Sequence, residues 1–148
     1  MKKELVRDWM TTDVITINPD MTLPEAHQLM TNEEIRRLPV VDKRDRLVGI
    51  VSIGDVRSAE PSPATSLSIW ELNYLLSTLT IGKIMTAHPF TIAPAATRAE
   101  AARMMLEHRV RGLPVVDEEH RVIGIITESD IFAMVVLHEW GAELHPQE

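Results

Sequence analysis

Two seven-residue segments of this chain carry side chains capable of chemistry at the same spacing. Gly49-Ile50-Val51-Ser52-Ile53-Gly54-Asp55 and Gly124-Ile125-Ile126-Thr127-Glu128-Ser129-Asp130 both read Gly-x-x-(Ser/Thr)-x-x-Asp, where an apolar run gives way to a helical pattern. A hydroxyl followed three residues later by a carboxylate is a helix-start signature. The two side chains satisfy backbone amides that the first turn leaves unpaired, and this role needs no ligand. An ionised carboxylate can also accept two donors from a ligand, each charge-assisted bond contributing roughly 1.5–3 kcal/mol. The two roles are compatible.

Other chemistry is poorly represented. With no cysteine among 148 residues, disulfides, thiolate metal sites and cysteine nucleophiles are excluded. The six histidines are scattered, and His138-Glu139 with His145 lacks metalloprotease spacing, so no metal site is expected. There is no Walker loop, no G-x-G-x-x-G and no G-x-S-x-G elbow. These absences lead to the expectation that the chain is not an enzyme. A formal charge of −7 opposes a nucleic-acid or anionic-membrane surface. No stretch approaches the roughly 18 apolar residues of a membrane span. Residues 1–20 have no apolar run after Met1-Lys2-Lys3, so a signal peptide is not expected. A soluble, cytoplasmic chain is expected, with no nucleic-acid or membrane partner.

The elements that must position these side chains are written twice. Met10-Thr11 returns as Met85-Thr86, Pro19 as Pro94, and Thr22-x-x-Glu25-Ala26 as Thr97-x-x-Glu100-Ala101. Leu38-Pro39-Val40-Val41-Asp42 returns intact as Leu113-Pro114-Val115-Val116-Asp117, at an offset of about 75 residues. In each copy a β-branched run (Val14–Ile17; Phe90–Ile92) predicts a strand that stops at a proline. A capping box then starts a helix with Ala26, Leu29, Met30 and Glu33, or Ala101, Met104, Met105 and His108, at helical spacing. The runs Leu38–Val41 and Leu47–Val51, like Leu113–Val116 and Val122–Ile126, predict hairpins, and a last helix begins near Ser52 or Thr127. Each unit is therefore β-α-β-β-α, too small to be stable alone, and the two copies are expected to pack about a pseudo-twofold axis.

Between the copies, Glu60-Pro61-Ser62-Pro63-Ala64-Thr65-Ser66 reads as a linker. A capping box at Ser68-Ile69-Trp70-Glu71 then opens a helix through Leu79 that is apolar over more than one face. It can serve only to pack the copies together, or it can place one face in a homodimer interface. At the C-terminal end, helical spacing at Ile131, Met134 and Val135 stops at Gly141, and Trp140 is read as a packing residue.

The repeated Leu-Pro-Val-Val-Asp followed each time by Gly-x-x-(Ser/Thr)-x-x-Asp resembles the CBS domain family, the tandem pair corresponding to a Bateman module. The resemblance covers about residues 6–57 and 81–132. The connecting segment from Pro61 to Leu76 also resembles the acetoin-utilisation branch of small CBS proteins. The resemblance implies an α/β tandem CBS pair: motif 1 at 1–59, linker and connecting helix at 60–80, motif 2 at 81–140 and a tail at 141–148.

It further implies a regulatory adenosine-nucleotide site in clefts between the copies, with no required cofactor. Asp55 and Asp130 would accept the ribose hydroxyls, while Ser52 and Thr127 would bond ribose or the α-phosphate. Ile50, Ile125, Ile35 and Val110 would hold the base, and Arg36, Arg37 and Arg111 phosphate. Gly112 stands where the family often carries a second basic residue. By the family's rule, Ser52 and Asp55 would share a cleft with Lys83, His88, Val110 and Arg111. Thr127 and Asp130 would share one with Asp8, Asp13, Ile35 and Arg36. The first, more basic set is expected to prefer the phosphorylated ligand. AMP, ADP, ATP and S-adenosylmethionine all remain open, the arginines favouring phosphate. The resemblance also implies homodimerisation and an unidentified protein target. The alternative reading is a nucleotide-independent interaction module.

Overall fold

The computed structural model describes residues 4–62, 66–139 and 141. The chain divides into two compact units, residues 15–89 and residues 1–14 with 90–148.

In the first unit, α1 (Leu23–Glu33) starts where Thr22 Oγ1 accepts from the Glu25 amide and donates to Glu25 Oε1 at 2.8 Å. It ends on Glu34, whose φ of 54° is left-handed. The strands β1 (Arg37–Val41) and β2 (Leu47–Ser52) form an antiparallel hairpin with Arg37 opposite Ser52. Its turn is closed by Asp42, whose Oδ1 accepts from the amides of Arg44 and Arg46 at 2.8 and 3.0 Å. From β2 the chain runs directly into α2 (Ile53–Ala59), and α3 (Ile69–Thr78) follows, capped by Ser68. A single turn, α4 (Ile81–Ile84), leads into β3 (Thr86–Ala87), which pairs antiparallel with β2. Ile17, Leu23, Ala26, Met30, Leu38, Val40, Val51, Val56 and Ile81 fill the core.

The second unit repeats this plan. A 3-10 turn at Val6–Asp8 precedes α5 (Arg98–His108), the antiparallel hairpin of β4 (Gly112–Val116) and β5 (Val122–Thr127), and α6 (Glu128–Met134). Its core is Val6, Ile92, Ala101, Met105, Leu113, Val115, Ile126 and Met134.

The compact units are thus not the sequence repeats. β3 belongs to the second repeat but pairs with β2 of the first, Ile50 opposite Thr86. Thr11 belongs to the first repeat but bridges Ile125 of the second. The glycine that opens each Gly-x-x-(Ser/Thr)-x-x-Asp segment is explained by this exchange. A Cβ on Gly49 would lie 2.3 Å from Met85 Sδ and 3.0 Å from the Thr86 carbonyl. One on Gly124 would lie 2.6 Å from Met10 Sδ and 3.0 Å from the Thr11 carbonyl. The glycine makes room for the incoming segment.

The helices, hairpins and caps follow the sequence pattern, with three differences. The runs Val14–Ile17 and Phe90–Ile92 are not strands; only Ile17 and Ile92 bridge, in parallel, to Val40 and Val115. Prolines at 19 and 94 end each run before a ladder can extend. Glu33 and His108, at the end of the predicted apolar stripes, are exposed. After Met134 the helix widens into a π-helical turn, Val135–Glu139. Trp140 and His145 lie outside the described residues.

Candidate functional site

Each β-strand-to-helix junction holds its hydroxyl and carboxylate through local hydrogen bonds. In the first unit, the Ser52 amide donates to Asp55 Oδ2 at 2.8 Å, and Ser52 Oγ accepts from the Asp55 amide at 3.1 Å. Among the described residues, the Ser52 hydroxyl proton has no acceptor. In the second unit, the Thr127 amide donates to Asp130 Oδ2 at 2.8 Å, and the Thr127 hydroxyl donates to the same oxygen at 3.2 Å. Among the described residues, the bonds to each carboxylate fall on Oδ2. Oδ1 of both aspartates is left to accept from elsewhere, which makes capping and ligand binding compatible.

Electrostatics separates the two junctions. Both aspartates are half-buried. Burial pushes the Asp130 carboxyl above its ordinary value, while the amide and hydroxyl of Thr127 pull it back. The positions around the junctions differ more. The first unit carries Arg36, Arg37, Arg57, Lys83 and His88; the corresponding positions of the second are Arg111, Gly112, Phe132, Asp8 and Asp13.

The expected residues fall between the units as follows. Ile35, Arg36, Arg37, Ile50, Lys83 and His88 are in the unit of Ser52 and Asp55; Val110, Arg111, Ile125, Asp8 and Asp13 are in that of Thr127 and Asp130. The Arg36 carbonyl accepts from the Ile53 amide at 2.8 Å, and the Arg111 carbonyl from the Glu128 amide at 3.1 Å. This fixes each arginine beside the junction of its own unit. Lys83 Nζ donates to the Thr78 carbonyl at 2.9 Å, capping α3. His88 is exposed, has a left-handed φ of 51°, and donates its amide to the Val48 carbonyl at 3.3 Å. Asp8 Oδ2 accepts from the Leu5 amide at 3.2 Å, and Asp13 is exposed.

A recess of about 430 Å³ brings Ile35 and Arg36 together with Ile53 and Arg57. Arg57 escaped the sequence reading, although it lies one helical turn beyond Ile53 and so shares its face. A second groove, of about 460 Å³, runs between α1 and α3, lined by Leu23, His27, Glu60, Leu72 and Leu76 among others. None of the candidate residues lines it, and its two titratable side chains, His27 and Glu60, are paired through Nδ1 and Oε1. Among the described residues, no group of three or more His, Asp or Glu side chains could hold a metal ion. No helix among them is long and apolar enough to cross a membrane.

Paired β-strand-to-helix junctions, each presenting a hydroxyl and an open carboxylate oxygen on an α/β unit, define a tandem repeat module. The chain belongs to the CBS domain family, which matches residues 6–62 and 81–136. A CBS domain-containing protein of Dictyostelium discoideum is 36% identical over 134 residues, 90% of this chain and 92% of the relative. The inosine-5′-monophosphate dehydrogenase of Methanocaldococcus jannaschii is 38% identical over 119 residues, 80% of this chain but 21% of that enzyme.

Solved structures agree. CBSX2 in complex with AMP superposes with a TM-score of 0.76 at 28% identity, covering 91% of this chain and 98% of that one. The acetoin utilization protein AcuB from Vibrio cholerae gives 0.74 at 31% identity, covering 96% and 98%. The CBS domain pair of MJ0100, solved with 5′-methylthioadenosine and S-adenosyl-L-methionine, gives 0.73 at 29%, covering 88% and 94%.

Proposed function

We propose that this chain is a non-catalytic, cytoplasmic regulatory module that binds an adenosine nucleotide (AMP, ADP or ATP) and acts as a homodimer on a protein target. The carrying observation is the pair of junctions at Ser52–Asp55 and Thr127–Asp130, each with Oδ1 open. The two carboxylates accept ribose hydroxyls, and the half-buried Ile50, Ile35, Ile125 and Val110 supply apolar surface for the base. The AMP bound by CBSX2 and the adenosyl compounds bound by MJ0100 support this ligand class.

Phosphate binds at the first unit. Arg36, Arg37, Lys83 and His88 belong to its unit, Arg36 beside the junction through its carbonyl, and the Ser52 hydroxyl, an acceptor from the Asp55 amide, keeps a proton to donate to an anionic oxygen. At the second, Asp8 and Asp13 oppose phosphate, Gly112 supplies no charge, and the Thr127 proton is committed to Asp130. That site favours an adenosyl ligand without a 5′-phosphate. Signalling follows if the ligand binds one arrangement of the pair or its dimer more tightly than another, since only differential affinity shifts a population.

The test is calorimetric titration of AMP, ADP, ATP, adenosine, S-adenosylmethionine and GTP into the parent chain, Asp55→Ala and Asp130→Ala. The reading requires binding confined to adenosine compounds, with AMP affinity falling at least tenfold in Asp55→Ala and less in Asp130→Ala. Equal losses remove the assignment of phosphate to one unit. Absence of binding by every compound favours the second reading, a nucleotide-independent interaction module, for which the exposed apolar face of α3 speaks.

A further inference from the structure

α3 is apolar on two sides and buries neither. Its inner side places Leu72, Leu76 and the following Leu79 against its own unit, where all three are half-buried. Its outer side presents Ile69, Trp70 and Tyr74 at exposures of 69, 81 and 73%. No residue of α3 is buried. A helix apolar around most of its circumference belongs in an interior, and an exposed aromatic stripe marks a contact surface. We infer that this outer face joins two copies of the chain, the α3 helices crossing antiparallel about a twofold axis between Asn73 and Tyr74. The inference deepens the homodimer reading above and rests on it.

Three features select a second copy as the occupant. The first is shape. The stripe is bulky at its N-terminal end, with Ile69 and Trp70, and small at its C-terminal end, with Ser77 and Thr78. A twofold contact is isologous, so what residue i meets on the other copy is met in return. With the axis between Asn73 and Tyr74, Trp70 lies over Ser77 of the other copy, seven residues along and on the same side of the helix. Bulky groups thus meet small ones at both ends. A parallel crossing would set indole against indole and leave the small ends empty.

The second is charge. The only charged side chain in α3 is Glu71, in its first turn. The far end is capped by Lys83, whose Nζ holds the Thr78 carbonyl. An antiparallel crossing brings the acidic first turn of each helix to the lysine-capped last turn of the other. It also opposes the two helix dipoles favourably. In a chain of net charge −7, this face avoids the like-charge repulsion that other surfaces would bring to self-association.

The third is area. At roughly 200 Å² apiece and 81 and 73% exposed, Trp70 and Tyr74 supply about 300 of the about 800 Å² that each partner of a standard interface buries. Ile69 and Leu67 extend the same exposed surface.

The test uses the full chain and exploits its lack of cysteine. Sedimentation equilibrium of the parent chain is expected to give a dimer. Trp70→Glu, a change at a side chain without core contacts, is expected to give a monomer with the same thermal melting cooperativity. Asn73→Cys, whose thiol would be the only one present, is expected to form a covalent dimer under mild oxidation that reducing agent reverses. A parent dimer that persists in Trp70→Glu and leaves Asn73→Cys uncrosslinked overturns the α3 contact while retaining the homodimer. A monomeric parent chain at about 100 μM overturns both, and the exposed face then belongs to a different protein.

Discussion

Val6 and Ile81 occupy the same position in the two sequence repeats, and each is fully buried in the core of the unit built mainly by the other repeat. Their backbones are held alike. The Val6 amide donates to the Ala96 carbonyl at 2.9 Å, and the Ile81 amide to the Met21 carbonyl at 2.8 Å. Truncating a buried aliphatic side chain costs about 2–5 kcal/mol for isoleucine and somewhat less for valine. Ile81→Ala should therefore lower amide protection in β1 and β2, and Val6→Ala in β4 and β5. Hydrogen exchange read strand by strand checks this. Loss of protection in the repeat that contains the mutated residue, rather than in the other, would contradict the exchange.

Gly49 and Gly124 should tolerate no side chain. An alanine Cβ at either position enters the space of a methionine sulfur and touches a backbone carbonyl, and the carbonyl belongs to a paired segment that cannot move aside. Gly49→Ala and Gly124→Ala are each expected to destabilise by about 1–3 kcal/mol. Combining Gly49→Ala with Met85→Ala should recover part of the loss by removing the sulfur, leaving the carbonyl clash. Urea unfolding of the three variants measures both effects.

Much of this arrangement was legible in the residues. The capping boxes at Thr22, Ser52, Thr97 and Ser68 and the two Leu-Pro-Val-Val-Asp hairpins are local signals, and local hydrogen bonds realise them. The exchange of N-terminal segments was not legible. Two repeats with equivalent docking positions offer Val6 and Ile81 interchangeable sockets, so the pattern defines what docks without defining where. The different use of the Ser52 and Thr127 hydroxyls was equally hidden, because one conservative sequence pattern serves both as acceptor and as donor. The site's charge asymmetry was legible, since it depends only on which residues replace Lys83 and His88 at Asp8 and Asp13.

Glu34 and Arg109 end α1 and α5 with φ of 54° and 55°, the left-handed conformation that glycine adopts without the penalty a Cβ brings. Both side chains are exposed. Glu34→Gly and Arg109→Gly should each stabilise the chain by about 0.5–1 kcal/mol, the relief of the left-handed strain outweighing the larger unfolded-state entropy of glycine. For a chain of this size that is a rise in Tm of roughly 1–4 °C. A fall in Tm for both would show that the native side chains contribute more than the conformation costs.

Acid should act oppositely on two kinds of aspartate. Backbone amides, that of Arg46 first at Asp42 and that of Arg121 first at Asp117, hold both turn carboxyls below their ordinary 3.8. Their stabilisation is present above that value and is lost as pH falls through the lower folded-state values. Burial raises Asp130, so its neutral form is the one the fold favours. Its contribution is fully present below 3.8 and is lost as pH rises through the raised folded-state value. Asp42→Asn should therefore be destabilising at pH 7 and nearly neutral near pH 2. Asp130→Asn should compare more favourably with the parent at pH 7 than at acid pH. Denaturant unfolding at the two pH values gives the signs directly.

Phosphate discrimination provides the final prediction. Arg36 is held beside the Ser52–Asp55 junction by its own carbonyl, so its exposed guanidinium is tethered near any 5′-phosphate placed there. A charge-assisted contact contributes roughly 1.5–3 kcal/mol, about tenfold or more in affinity. Arg36→Gln should weaken AMP by about tenfold while changing adenosine less than twofold, because adenosine lacks the group the guanidinium meets. His88→Asp, which places in the first unit the residue that stands at position 13 in the second, should shift the preference the same way and is compatible with a left-handed φ. Asp13→His should move the second unit in the opposite sense, raising AMP affinity in an Asp55→Ala background, where Asp130 is the one of the two aspartates left to hold ribose. Equal losses of AMP and adenosine in Arg36→Gln would assign the arginine to the fold of the junction and leave phosphate recognition to Lys83 and Arg57.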